Sequence, residues 1–398
     1  MKERVLDTAH LEKIRHKKRM KKLRVAVVLC LLLVVILVWL TGIGSLYVTR
    51  VSEALETLEL RMRTGNGFPV ALVMDPDVRG EAMTAASVLM DDREVYVYSD
   101  TGSALRSFQH GYARPGLVVG KTRFCVFNQG GRELRVEGRS RSYGTLTTEN
   151  AIQFAAMSPD GTFAVVTQSD SYQAQMAVYN DAMDEMFSWY CAEEYPVTAS
   201  FSENGKQVAV GCLYSGGGML HAKLYLVDAE GEHASVTRED SVILAAQYRS
   251  KTEVLVVYDD AVVLYAAEDL EQLASYSLND GLLCCDLQGE DAILLVQGDT
   301  SRGSGVTLTI LSQDLTLIRS VKVGETVEQC VLRGRTACLV GNGRLLCYTL
   351  DITETKEHPA GNDEIIPLEH RPLCLINSRE LLLLTARQLT LALPAQAE

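Results

Sequence analysis

Cysteine supplies the most chemically loaded spacing in this chain of 398 residues. Ten cysteines occur, and one of them, Cys30, lies inside a long apolar run near the N-terminus. No C-x-x-C pair is present, which disfavours a four-cysteine zinc site and a full disulfide framework. Cys284 and Cys285 are neighbours in β-type sequence and point to opposite faces, so they cannot share one site. Cys330, Cys338 and Cys347 are spaced differently. An Asn342-Gly343 hairpin sets Cys338 opposite Cys347, and a three-residue turn at Arg333-Gly334-Arg335 sets Cys330 opposite Cys338. Three thiols on one face would suit a redox or metal centre, although free cysteine more often packs as a small hydrophobe, and packing is the expectation here.

Other reactive types lack a constellation. Five histidines follow the apolar run (His110, His221, His233, His358 and His370), none in H-E-x-x-H or another metal spacing. They read as turn residues or hydrogen-bond partners, with His110 in a connection between repeats. Asp75, Asp77, Glu290 and Asp299 offer carboxylates for calcium or acid–base work, yet no D-x-[DN]-x-[DN]-G loop holds them. They read as solvated loop charge. Neither a G-x-S-x-G elbow nor a P-loop occurs, and Gly341-Asn342-Gly343 is a hairpin turn rather than a dinucleotide fingerprint. The expectation is therefore no catalytic residue, no metal and no cofactor.

The elements that must position these residues begin with a membrane anchor. Val25 to Val48 contains 24 residues without a charge, long enough as a helix to cross a hydrocarbon core of about 30 Å. It is longer than a cleavable signal core and keeps Trp39 and Tyr47 near its outer end, which predicts an uncleaved signal anchor. Residues 1–24 carry ten Lys and Arg against three acids, and such a basic cluster marks the cytoplasmic side. Everything beyond the span is then expected outside the cell membrane. Val51, Leu55, Leu58 and Met62 recur at helical spacing and predict a short stalk, ended by Thr64-Gly65-Asn66-Gly67, so residues 49–67 form stalk and linker.

From Phe68 the period changes to two. Short β-rich runs alternate with turn dipeptides, and first strands begin near Glu81, Arg114, Ile152, Val197, Val242, Gly281, Glu328 and Arg371. Four-stranded units repeating every 40 or so residues predict an all-β fold, a β-propeller over residues 68–398. Eight first strands imply eight blades, with a seven-bladed ring as the alternative because the first interval is short. The last unit has room for three strands only, so Phe68 to Met74 is expected to supply its outer strand and close the ring.

Overall composition fits a folded exterior domain, with 47% apolar and 22% charged residues and a formal net charge of −13. Because the first 24 residues are basic, the remainder is strongly acidic, which argues against nucleic acid as a ligand.

Ser158-Pro159-Asp160-Gly161 and Ser202-Glu203-Asn204-Gly205 resemble the hairpin turns of the WD40-like propeller superfamily. Phe68-Pro69-Val70, Ser107 to Leu117, Ser158 to Asn180 and Phe187 to Tyr190 are similar to an uncharacterised bacterial family, a domain of unknown function. That resemblance implies a basic cytoplasmic start, one span and an exterior propeller, and it brings no known activity.

The function expected is a membrane-anchored, extracytoplasmic protein-binding or scaffolding module; the alternative is an exterior glycan- or polymer-acting enzyme with its site on a propeller face. Loops joining second to third strands share one face, the top. The longest are Gln168 to Ala174, Leu213 to His221 and Gly298 to Gly305, and they offer Tyr172, Tyr214, Met219 and Arg302 as partner-binding residues. The chain should enter the ring on the bottom, leaving the loop-rich face pointing away from the membrane.

Overall fold

The computed structural model describes residues 44–289, 292–298, 305–323, 327–334, 336–341, 343–349, 363–366 and 370–392. The basic tail and most of the expected span lie outside the described residues, as do Glu290, Asp299, Arg302, Arg335, Asn342 and His358. Among the described residues no helix is long and apolar enough to cross a membrane. The chain divides into two compact units, Met1–Glu59 and Leu60–Glu398. Helix α1 (Gly44–Met62) contains the apolar spacing read as a stalk and stops just before Thr64-Gly65-Asn66-Gly67.

The second unit is an eight-bladed β-propeller built from four-stranded antiparallel sheets. Blades 1 to 7 occupy residues 79–109, 115–147, 152–191, 195–238, 243–277, 282–323 and 329–366, each in simple up-and-down order. Their first strands begin within two residues of the expected positions. First strands lie against the first strands of neighbouring blades, and Pro372–Asn377 of blade 8 meets Arg79–Met83 of blade 1, which closes the ring and makes the first strands innermost.

Blade 8 takes its outer strand from the opposite end of the unit. Val70 pairs with Leu389 and Ala71 with Gln388, and the Leu72 N–H donates to the Arg387 carbonyl at 2.9 Å. Closure thus runs through the expected segment, although only Val70–Ala71 form the ladder. Pro69 has no N–H to extend it.

Burial explains the sequence texture of each strand. Second strands such as Ala86–Met90 and Leu381–Thr385 are covered on both faces and buried throughout, so they read as nearly continuous apolar runs, broken only by buried Ser87 and Thr385. Outer strands such as Gln272–Ser277 are half covered and mix exposed with half-buried positions. The buried apolar side chains of the described residues gather into eight clusters, one at each junction between blades. No blade therefore buries its faces alone.

One register differs from expectation. Arg333 pairs with Thr336, so the turn spans two residues rather than three, and Cys330 opposes Leu339 while Val331 opposes Cys338. A slip of one residue sends a side chain to the other face of a strand. Cys330 consequently packs at the junction of blades 6 and 7, beside Cys284. Cys338 and Cys347 do face one another, at the junction of blades 7 and 8. The three thiols are not one cluster.

Candidate functional site

Innermost strands start at the top, so the top face carries the connections between blades and the turns between second and third strands. In blade 4 these strands, Val208–Gly216 and Met219–Asp228, are much longer than their counterparts elsewhere. Their ladder is continuous up to Gly216 opposite Met219, leaving a two-residue turn at Gly217-Gly218. Both glycines have positive φ, 61° and 84°, as a type I′ turn requires. Leu213 to His221 is therefore a two-stranded ribbon, not the loop its glycines suggested.

Side chains brace the ribbon. Tyr214 and His221 are cross-strand partners with ring centroids 5.0 Å apart. The Asp240 N–H donates to His221 Nδ1 at 3.2 Å. A backbone amide can only donate, so Nδ1 accepts and Nε2 carries the proton it gives to the Gly216 carbonyl at 3.0 Å. Met219, at the tip, is 50% exposed and Leu220 beside it equally so.

Tyr172 occupies the second-to-third turn of blade 3, 47% exposed, with its ring 5.1 Å from that of Tyr190 on the adjoining outer strand. Ser169 Oγ orders this turn by accepting from the Ser171 and Tyr172 amides. Tyr195, where blade 4 begins, is also exposed. Three of the residues expected to bind a partner, Tyr172, Tyr214 and Met219, thus sit on the top of adjacent blades; Arg302 lies outside the described residues.

Sequence reasoning missed the remaining part of this surface. The innermost strands of blades 3, 4, 5, 6 and 8 each carry a bulge near their top end, at Gln153, Val197, Leu244, Leu283 and Leu373. A bulged residue is left out of the ladder and its strand bends there. Repeated around the ring, the bulges rim the mouth of the central channel, and Val197 and Leu244 are exposed. Of the large apolar side chains exposed among the described residues of the propeller, seven belong to this top surface of blades 3 to 5: Tyr172, Tyr190, Tyr195, Val197, Met219, Leu220 and Leu244.

Beneath it lies a polar network spanning blades 3 and 4. Glu194 Oε1 accepts from Tyr225 OH at 2.6 Å and Lys223 Nζ at 3.1 Å, while Trp189 packs on Tyr225 with centroids 5.3 Å apart. Burial works to raise the Glu194 carboxyl, but these two donors outweigh it and hold the group below the ordinary range. Burial and the Glu194 carboxylate together push the Tyr225 phenol up. Cys191 donates to the Glu194 carbonyl at 3.1 Å and lies beside Cys212, whose thiol burial raises. These contacts fix the connection that presents Tyr195.

The other candidates lie away from this surface. His110 accepts from the Tyr112 amide through Nδ1 and meets the Asp91 carbonyl through Nε2, tying the connection between blades 1 and 2. Asp75 and Asp92 both face Arg93, at 3.8 and 3.7 Å, and Asp75 borders an open cleft of about 260 Å³ with Asp91, Arg93 and Tyr96. Among the described residues, no group of three or more His, Cys, Asp or Glu side chains is placed to hold a metal ion. The bottom face is tied by buried charge: Glu137 receives Arg106 and Arg135, each at 2.7 Å, and Arg139 donates to the Thr84 carbonyl. The Gly67 amide donates to Thr101 in a bottom turn of blade 1, so the chain joins the ring on the face opposite the apolar surface.

Fold and surface together define an all-β, eight-bladed propeller. The sequence belongs to a family of unknown function, DUF5711, whose pattern it matches over residues 83–380. No curated protein matches it. Among solved structures, the chain is similar to the C-terminal WD40 domain of Sif2 (TM-score 0.60, 10% identity, 82% of this chain and 99% of that one). It is also similar to BamB from Moraxella catarrhalis (TM-score 0.54, 9% identity, 81% and 98%). A third likeness is to Sqt1 from Chaetomium thermophilum, solved bound to the N-terminus of ribosomal protein L10 (TM-score 0.55, 10% identity, 81% and 98%). At these identities the likeness is one of fold.

Proposed function

We infer that the protein is a membrane-anchored, extracytoplasmic binding module that recognises a protein partner with the top face of blades 3 to 5. Val25 to Val48 is the single-pass anchor, and the basic residues 1–24 stay in the cytoplasm. The observation that carries the binding reading is the gathering of Tyr172, Tyr190, Tyr195, Val197, Met219, Leu220 and Leu244, all exposed, on one face of adjacent blades. Tyr and Met are enriched at interfaces, and large rigid side chains lose little entropy on binding. The braced ribbon and the ordered Tyr172 turn add preorganisation. Sqt1, similar to this chain in fold, was solved bound to the N-terminus of the ribosomal protein L10.

The test is site-specific photocrosslinking in intact cells. A photoreactive side chain at Tyr172 or Met219 should yield one recurring protein adduct. The same group at Leu273, an exposed residue of an outer strand, should not. Equal labelling from all three positions, or none from the first two, overturns the assignment.

A further inference from the structure

Cys338 and Cys347 are direct partners on the second and third strands of blade 7, with Sγ atoms 3.0 Å apart. Gly341 pairs with Arg344 across the hairpin end. Counting back from that closing, hydrogen-bonded pair, the pairs alternate in type, so Cys338 opposite Cys347 falls on a non-hydrogen-bonded pair. There the side chains approach most closely, with Cα atoms about 4.5 Å apart, inside the range a disulfide spans.

From this geometry we propose that Cys338 and Cys347 form a disulfide that staples the blade 7 hairpin in the exported protein. The inference rests on the exterior location given above, because such a bond persists in an oxidising compartment and is reduced in the cytosol. The oxidant is a disulfide, of a small molecule or a thiol oxidoreductase. The thiolate of one cysteine attacks it, forming a mixed disulfide and releasing one thiol; the second cysteine attacks the mixed disulfide and releases the other thiol. Two electrons pass to the oxidant's sulfurs, and the two protons of the pair end on the released thiols.

Blade 8 covers both sulfurs, through Leu375, Leu381 and Leu383. Cys338 is fully buried and Cys347 nearly so. The neighbouring Cys347 thiol and burial raise the Cys338 thiol, which keeps it protonated and slow to exchange in the finished ring. Oxidation therefore belongs to the interval before blade 8 docks.

Trypsin separates the two residues, since Arg344 lies between them: Thr336 to Arg344 carries Cys338, and Leu345 to Lys356 carries Cys347. Cells expressing the full chain are treated with N-ethylmaleimide before lysis, and the protein is digested without reductant. Mass spectrometry should find these two peptides linked, and the link should vanish in Cys347→Ser with Cys338 alkylated instead. Both peptides alkylated in the natural chain, or Cys330 linked in their place, overturns the proposal. A second arm then tells why: the reduced full chain is incubated with oxidised glutathione in mild denaturant. Linkage there means that the exterior location failed; no linkage means that the pairing did.

Discussion

Leu72, Val73 and Met74 form a built-in experiment on ring closure. Leu72 and Met74 are buried in the junction of blades 8 and 1, against a cluster holding Leu384 and Leu389, whereas Val73 between them is 80% exposed. Truncating a buried Leu or Met to Ala removes apolar contacts and leaves a cavity, costing about 2–5 kcal/mol each. Because both side chains share one cluster, their effects couple, and Leu72→Ala with Met74→Ala should cost about 4–8 kcal/mol in total. Val73→Ala should change stability by no more than about 0.5 kcal/mol. Thermal unfolding would then separate the double variant from Val73→Ala by roughly 5–12 °C. Hydrogen exchange localises the loss: the amides of Leu381–Thr385 and Gln388–Leu391 should exchange faster, while those of blade 4 stay protected. If the double variant melts with Val73→Ala, the N-terminal strand does not hold the ring shut.

Glu137→Ala leaves the partly exposed guanidinium groups of Arg106 and Arg135 without their carboxylate; denaturant unfolding should register a loss of about 1–3 kcal/mol. The Glu194 carboxyl is held low when folded, so its contribution is complete above the ordinary glutamate range and disappears as pH falls through the lowered value. Glu194→Gln should accordingly lower stability at neutral and alkaline pH, leave it nearly unchanged at the acid extreme and so flatten the acid side of the profile, as followed by midpoint denaturant concentration. Gly217→Val with Gly218→Val places β-branched residues at positive φ and should cost about 1–2 kcal/mol per position. Loss of crosslinking from Met219 with the melting temperature lowered by only about 3–6 °C would show the ribbon's shape at work.

The sequence by itself favoured eight blades over seven and determined the starts of the innermost strands, the closing segment and the pairing of Cys338 with Cys347. Each is a local matter: a period of two, a turn dipeptide or the room left in the last unit decides it. What lay beyond reach depended on register and on neighbours distant in the chain. The Arg333 turn could hold two residues or three without altering the apolar alternation around it, yet that single residue moved Cys330 to another junction. Three consecutive glycines at 216–218 look like slack, and only the pairing of Tyr214 with His221 across them makes a ribbon. The bulges at Gln153, Val197, Leu244, Leu283 and Leu373 leave no mark in the strand pattern, because a bulge shifts hydrogen bonds rather than composition. Tyr172, Tyr190, Tyr195 and Leu244 come from separate strands and turns, and they share a surface because blade packing brings the tops of blades 3, 4 and 5 side by side.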